Sequence, residues 1–102
     1  MSPRNPLIIQ WAEAAAKDMD GIADYLFGEG LAFDAVEDYV KHIYNAPHHL
    51  TTLPGAGKPG RVVPSIREWL IEDTPYAFLY RVLANRVQIL RVMHGSRQFS
   101  EQ

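Results

Sequence analysis

Along this chain the spacing of apolar residues changes twice, and each change marks a change of element. Leu7-Ile8-Ile9-Gln10-Trp11 is a short β-favouring run behind Pro3 and Pro6, and it predicts a first strand. From Ala12 the interval becomes helical. Ala15, Met19, Ile22 and Leu26 fall on one stripe, while Lys17, Asp20 and Asp24 turn elsewhere. Gly28-Glu29-Gly30 closes that helix, since glycine readily takes the left-handed conformation that ends one. A second helical pattern puts Phe33, Val36, Val40 and Ile43 on one face, with Asp34, Glu37, Asp38 and Lys41 on the other, so a helical hairpin is expected. Pro47 has no backbone N–H to donate, and predicts a kink before a last helical stretch to about Thr52.

Pro54-Gly55-Ala56-Gly57-Lys58-Pro59-Gly60 has no apolar period and reads as a mobile loop that divides a helical part from a sheet part. Beyond it, β-branched and aromatic residues dominate three runs, roughly 66–71, 76–83 and 87–94. Asp73-Thr74-Pro75 and Ala84-Asn85-Arg86 separate them. Connections this short require antiparallel neighbours, so a three-stranded meander is expected. Ile89, Leu90, Val92 and Met93 break strict alternation, which suits a central strand covered on both sides. The fold class is therefore α+β, an N-terminal strand and a helical hairpin packed on an antiparallel C-terminal sheet, with the far face of the sheet left partly open.

Composition narrows the function. At 102 residues the chain suits one domain, residues 1–102, and 47% hydrophobic against 22% charged residues suits a packed core. With no cysteine there is no disulfide, thiolate metal site or cysteine nucleophile. The opening three apolar residues fall far short of a signal-peptide core or the ~20 needed to span a bilayer, so a cytoplasmic protein without membrane association is expected. The net charge of −2 hides an asymmetry. Residues 1–50 carry three Lys/Arg against eight Asp/Glu, whereas residues 51–102 carry seven against four. Between Arg81 and Arg97 stand four arginines and no acidic residue, so an anionic partner would be drawn to the C-terminal part.

Three elements now stand in one order and spacing: Tyr80-Arg81-Val82, Ile89-Leu90-Arg91-Val92 and His94-Gly95-Ser96-Arg97. This string resembles the C-terminal hairpin of ParE-type toxins of the RelE/ParE superfamily, and Gly60-Arg61, Ile66-Arg67-Glu68 and the stretch from Trp11 to Leu26 match in kind and order. The similarity spans nearly the whole chain. It implies a β-α-α-β-β-β fold and the toxin half of a type II toxin–antitoxin pair, with a cognate antitoxin in a hetero-oligomer and roles in plasmid stabilisation or stress response. ParE-like members inhibit DNA gyrase by protein–protein contact and are not known as nucleases. RelE-like members cut messenger RNA on the ribosome.

Metal-free RNA cleavage needs a base for the 2′-hydroxyl, a donor for the leaving oxygen and cations for the phosphorane. His94, Arg97, Arg81 and Glu68 are the candidates for such an endoribonuclease. The resemblance weighs against it. The RelE pattern has a catalytic arginine at the second position of Tyr76-Ala77-Phe78-Leu79-Tyr80, where this chain has Ala77, and catalytic lysines in the preceding strand, which here reads Glu68-Trp69-Leu70-Ile71. The ParE-like branch is therefore favoured, with no catalytic residues, and a non-toxic interaction module of the same fold is a further alternative. Under the favoured reading, Arg67, Trp69, Arg81, Arg91, His94 and Arg97 are the candidate contacts for target or antitoxin.

Other constellations are weaker. His42, His48 and His49 lack a carboxylate at ligand spacing, and adjacent helical histidines diverge by about 100°. The loop around Lys58 lacks the phosphate-binding order of glycines and a following helix. No metal or cofactor is expected. The aromatic residues of the strands read as core rather than as a stacking platform for bases.

Overall fold

The computed structural model describes residues 7–94, so Arg97 and the rest of the segment from Gly95 lie outside the described residues. The order is β1 (Ile8–Trp11), α1 (Glu13–Gly28), α2 (Phe33–Asn45), α3 (His48–Thr52), β2 (Lys58–Pro59), β3 (Arg67–Leu70), β4 (Tyr76–Leu83) and β5 (Arg86–His94). The strands form one sheet in the order β1-β5-β4-β3-β2. The α+β architecture and the antiparallel meander β3-β4-β5 agree with the sequence reading.

Both helices follow the predicted stripes with one exception. Ala15, Met19, Ile22 and Leu26 of α1 are buried, as are Val36 and Ile43 of α2. Phe33, predicted on the buried face, is 65% exposed, because it opens α2 at the tip of the hairpin, where it stacks on Phe27. The turn between the helices is a Schellman closure. Leu31 N–H donates to Leu26 C=O and Gly30 N–H to Phe27 C=O, with Gly30 at φ +92°. That angle is the reason for glycine at this position. Pro47 separates α2 from α3, as expected of a residue that cannot continue the hydrogen-bond ladder.

The core lies between the helices and one face of the sheet. Phe78, Tyr80, Val87 and Ile89 are fully buried there with Ile43 and Leu50, each such side chain contributing about 1.5–3 kcal/mol of burial free energy. Strand β1 pairs in parallel with β5, Ile8 opposite Arg86 and Trp11 opposite Ile89, so the first strand extends the sheet beyond the meander. Strand β5 thereby lies inside the sheet, between β1 and β4, and its broken alternation has a specific cause. Leu79 pairs with Arg91 but Tyr80 with Ile89, which leaves Leu90 as an extra residue in a β-bulge. The bulge resets the parity, so Ile89 and Val92 are both buried although three residues apart.

The 54–60 segment is tied down rather than loose. Lys58–Pro59 pairs antiparallel with Glu68 and Arg67 of β3. The buried Tyr80 hydroxyl accepts from Gly57 N–H at 2.9 Å and donates to Pro54 C=O at 2.8 Å. Arg67 Nη1 donates to Gly57 C=O at 2.7 Å. Gly57 fits because a Cβ there would lie 2.6 Å from the Tyr80 hydroxyl and from Glu68 C=O. The following connection also rests on local chemistry. Asp73 takes φ +66°, which aspartate tolerates, and Thr74 Oγ1 accepts from Tyr76 N–H to close the β3–β4 turn.

Candidate interaction face of the sheet

Cross-strand register sorts the sheet residues into two faces, because side chains alternate along each strand. Towards the helices lie Arg67, Trp69, Tyr76, Phe78, Tyr80, Val87, Ile89, Trp11 and His94. The other face carries four rows: Leu70-Ala77-Met93, Glu68-Leu79-Arg91, Arg81-Gln88-Gln10 and Leu83-Arg86-Ile8. This outer face is the partly open surface anticipated from the fold class. Its first row, Leu70-Ala77-Met93, is apolar, with Leu70 63% exposed, and its rows at the β4–β5 hairpin end carry Arg81 and Arg86.

The five contact candidates among the described residues are not gathered on it. Arg81 is there, exposed, its Nε donating to Gln88 Oε1 at 2.7 Å. Arg91 turns round the edge of β5 to α1. Its Nε and Nη2 donate to Asp18 at 2.8 and 3.0 Å, and the same carboxylate accepts Val92 N–H at 2.9 Å, so the Arg91 guanidinium is held above its ordinary pKa chiefly by these hydrogen bonds. Asp18 thus occupies the edge of β5 where β1 has already ended. Arg67 faces the helices and holds Gly57. Trp69, also on that side, is stacked between His49 at 5.5 Å and Phe78 at 6.2 Å. His94 meets the Tyr76 ring edge-on at 5.8 Å.

The three nuclease candidates among the described residues are likewise dispersed. Glu68 and Arg81 share the outer face, whereas His94 stands on the other, in the row of Tyr76. Tyr76 is five residues from Arg81, about 17 Å of strand. The Tyr76 and Tyr39 hydroxyls are raised in pKa by burial first and by neighbouring tyrosines second. The remaining histidines diverge: His42 Nε2 bonds Glu72 C=O, His48 Nδ1 bonds Asn45 C=O, and His49 lies on Trp69. Among the described residues no group of three or more His, Asp or Glu side chains converges as a metal site requires. No helix among them is long and apolar enough to cross a membrane.

Sequence reasoning passed over Arg86, Gln88 and Gln10, which join Arg81 in one hydrogen-bonded row. Arg86 Nη1 donates to Gln10 Oε1 at 3.1 Å, and Gln88 Nε2 to the same oxygen at 3.4 Å. The sequence places Arg86 in the turn before the last strand, whereas it opens β5. Its even spacing from Gln88 was the available signal; that Gln10 stands beside both depends on the parallel pairing of β1 with β5.

Comparisons with known proteins agree with this architecture. The family described as the ParE toxin of the type II toxin–antitoxin system, parDE, matches residues 9–99. A curated relative from Sinorhizobium fredii, named "Putative toxin Y4kP", is 34% identical over 93 residues, covering 91% of this chain and 93% of its own. The solved structure of a chromosomal ParDE toxin–antitoxin system from P. aeruginosa is similar with a TM-score of 0.75 and 28% identity, over 86% of this chain and 95% of that one. The toxin–antitoxin complex RelBE2 from Mycobacterium tuberculosis shares the fold, with a TM-score of 0.56 and 22% identity, over 88% and 99% of the two chains. With the strand order, the helical hairpin and the bulged strand β5 already established, these matches show that the chain belongs to the ParE toxin family of type II toxin–antitoxin systems.

Proposed function

We propose that this chain is one toxin domain over residues 1–102, held inactive in the cytoplasm by a cognate antitoxin and acting on DNA gyrase by protein–protein contact. The observation that carries this reading is the outer face of the sheet. Where the RelE pattern places its catalytic arginine and lysines, this face carries Ala77, Leu70 and Glu68, and its first row, Leu70-Ala77-Met93, is apolar. An apolar floor suits a protein surface, while a phosphorane needs converging cations and a proton shuttle. The antitoxin part of the proposal is supported by the neighbours, since the similar structures from P. aeruginosa and M. tuberculosis are toxin–antitoxin systems.

The test compares two activities of one preparation. Purified toxin should inhibit gyrase supercoiling and leave translated messages intact on ribosomes. Cleaved messages with unimpaired gyrase would replace this reading with the ribosome-dependent nuclease, and harmless overexpression with neither activity would leave only the interaction module. Substituting His94→Ala separates the first two further. Toxicity should persist, because His94 stands apart from Arg81 and Glu68.

A further inference from the structure

Every residue from Phe27 to Ala35, the turn between α1 and α2 with its flanking helix ends, is exposed. Three of them are large and apolar. Phe27 is 44% exposed and Phe33 is more so, and Leu31 between them is exposed as well. The two rings stack at 17° with their centroids 6.2 Å apart. Closing the turn does not require them. The backbone bonds from Leu31 to Leu26 and from Gly30 to Phe27 do that, and the buried Leu26 and Val36 anchor the two helix ends in the core. A small residue at position 33 would keep all of these contacts. Stacked rings held in water on a turn that is fixed without them are apolar surface with no role in folding, and such surface suits a partner.

Charge around the tip decides the class of that partner. From Asp18 to Val40 the chain has seven acidic residues and no cation. Asp18 is matched by Arg91. Among the described residues the other six, including Asp24, Glu29 and Asp34 beside the rings, have no ion pair. Asp24 and Glu29 also flank the last turn of α1, which contains no basic residue. The helix dipole is negative at that end, so it adds to their charge instead of offsetting it. Nucleic acids and anionic membranes are polyanions and are repelled by such a field. Two copies meeting tip to tip are repelled for the same reason. What the tip complements is a cation beside an aliphatic side chain, as in a protein segment where lysine or arginine flanks leucine.

We infer that the hairpin tip, Phe27, Leu31 and Phe33 together with Asp24, Glu29 and Asp34, is a docking surface for a basic and aliphatic segment of a partner protein. The inference goes beyond the gyrase reading and does not depend on it, since it involves no residue of the sheet.

The full-length protein is titrated with a fluorescein-labelled peptide of lysine, leucine and serine, and with two counterparts, one carrying glutamate for lysine and one carrying serine for leucine. Fluorescence anisotropy reads affinity, and the Leu31 methyl and Phe27 and Phe33 ring resonances report the site. The lysine and leucine peptide should bind, shift those resonances and weaken as salt rises. Phe33→Ala should weaken it about threefold to tenfold through the lost ring face, and Glu29→Gln about twofold to fivefold. Val62→Ala, between β2 and β3, and Glu72→Gln, in the β3–β4 turn, are exposed changes of the same two kinds and should leave it unchanged. Thermal unfolding of each variant confirms that it folds, and Leu31→Ala, which leaves both rings in place, stands in for Phe33→Ala if that variant melts early. Failure of the lysine and leucine peptide to bind, equal binding of either counterpart, or unchanged affinity in both Phe33→Ala and Leu31→Ala would overturn the inference. So would sedimentation showing the protein associating with itself in a manner lost in Phe33→Ala, because the occupant of the tip would then be a second copy.

Discussion

Replacing Tyr80 with phenylalanine isolates a single hydroxyl on which the 54–60 segment depends. The ring is fully buried and phenylalanine keeps its packing, so the change removes only the atom that accepts from Gly57 N–H and donates to Pro54 C=O. Gly57 is buried, and its N–H would be left without a partner in a site where a Cβ would already be too close. Pro54 is only half-buried, so water can reach its carbonyl. One stranded buried donor and one partly rehydrated acceptor cost about 1–3 kcal/mol. For a chain of this size that lowers Tm by about 5–15 °C. Hydrogen exchange should show the Gly57 amide losing protection well beyond the fall in global stability.

The same hydroxyl predicts a pH effect. Burial raises the Tyr80 pKa above its ordinary value, outweighing the hydrogen bond from Gly57 and the charge of Arg67, which lower it. A phenol whose folded pKa is raised is more protonated in the folded state. Its contribution is complete below the unfolded pKa of about 10 and is lost as pH rises from there through the folded value. Tyr80→Phe should therefore flatten part of the alkaline decline in stability, the remainder belonging to Tyr39 and Tyr76, which are raised for the same reason. A variant that melts within a degree of the parent, with Gly57 still protected, would refute the assignment of the hydroxyl as anchor.

Asp18→Asn should cost about 1–2 kcal/mol, read as a lower urea midpoint, since the amide retains one acceptor for the strand edge but loses the charge that Arg91 requires; the exposure of Arg91 keeps the figure modest. Gly60→Ala should destabilise by about 2 kcal/mol or more, because its Cβ would press on the carbonyls of Ile66 and Val63, whereas Gly55→Ala, with open space around it, should leave Tm nearly unchanged. On the functional side, His94→Ala should leave growth arrest intact in cells expressing the toxin without antitoxin.

Much of the architecture was readable because its signals are local. The stripe Ala15, Met19, Ile22, Leu26 and the glycines after it specify a helix and its end without reference to any other part of the chain. Short turns dictate an antiparallel meander by reach alone. The 54–60 segment was misjudged as mobile for the same reason. Its prolines and glycines lack a periodic pattern, and what holds them is the hydroxyl of a residue 23 to 26 positions later. Phe33 continues the apolar stripe of its helix, but it opens α2 at the hairpin turn, where it stays largely exposed against Phe27.

The candidate surface divides in the same way. That arginines cluster late in the chain is a property of composition, and the alternation of β4 and β5 is enough to put Arg81, Gln88 and Arg86 on one side of a hairpin. Whether a charge stays available is settled by residues far away. Asp18, 73 positions upstream, takes Arg91 out of the open surface, and Gln10, 76 positions from Arg86, completes the hydrogen-bonded row through a parallel strand pairing. Periodicity records which side of its own element a residue occupies. Which element comes to lie against that side follows from how the apolar faces pack together, and only the folded chain decides it.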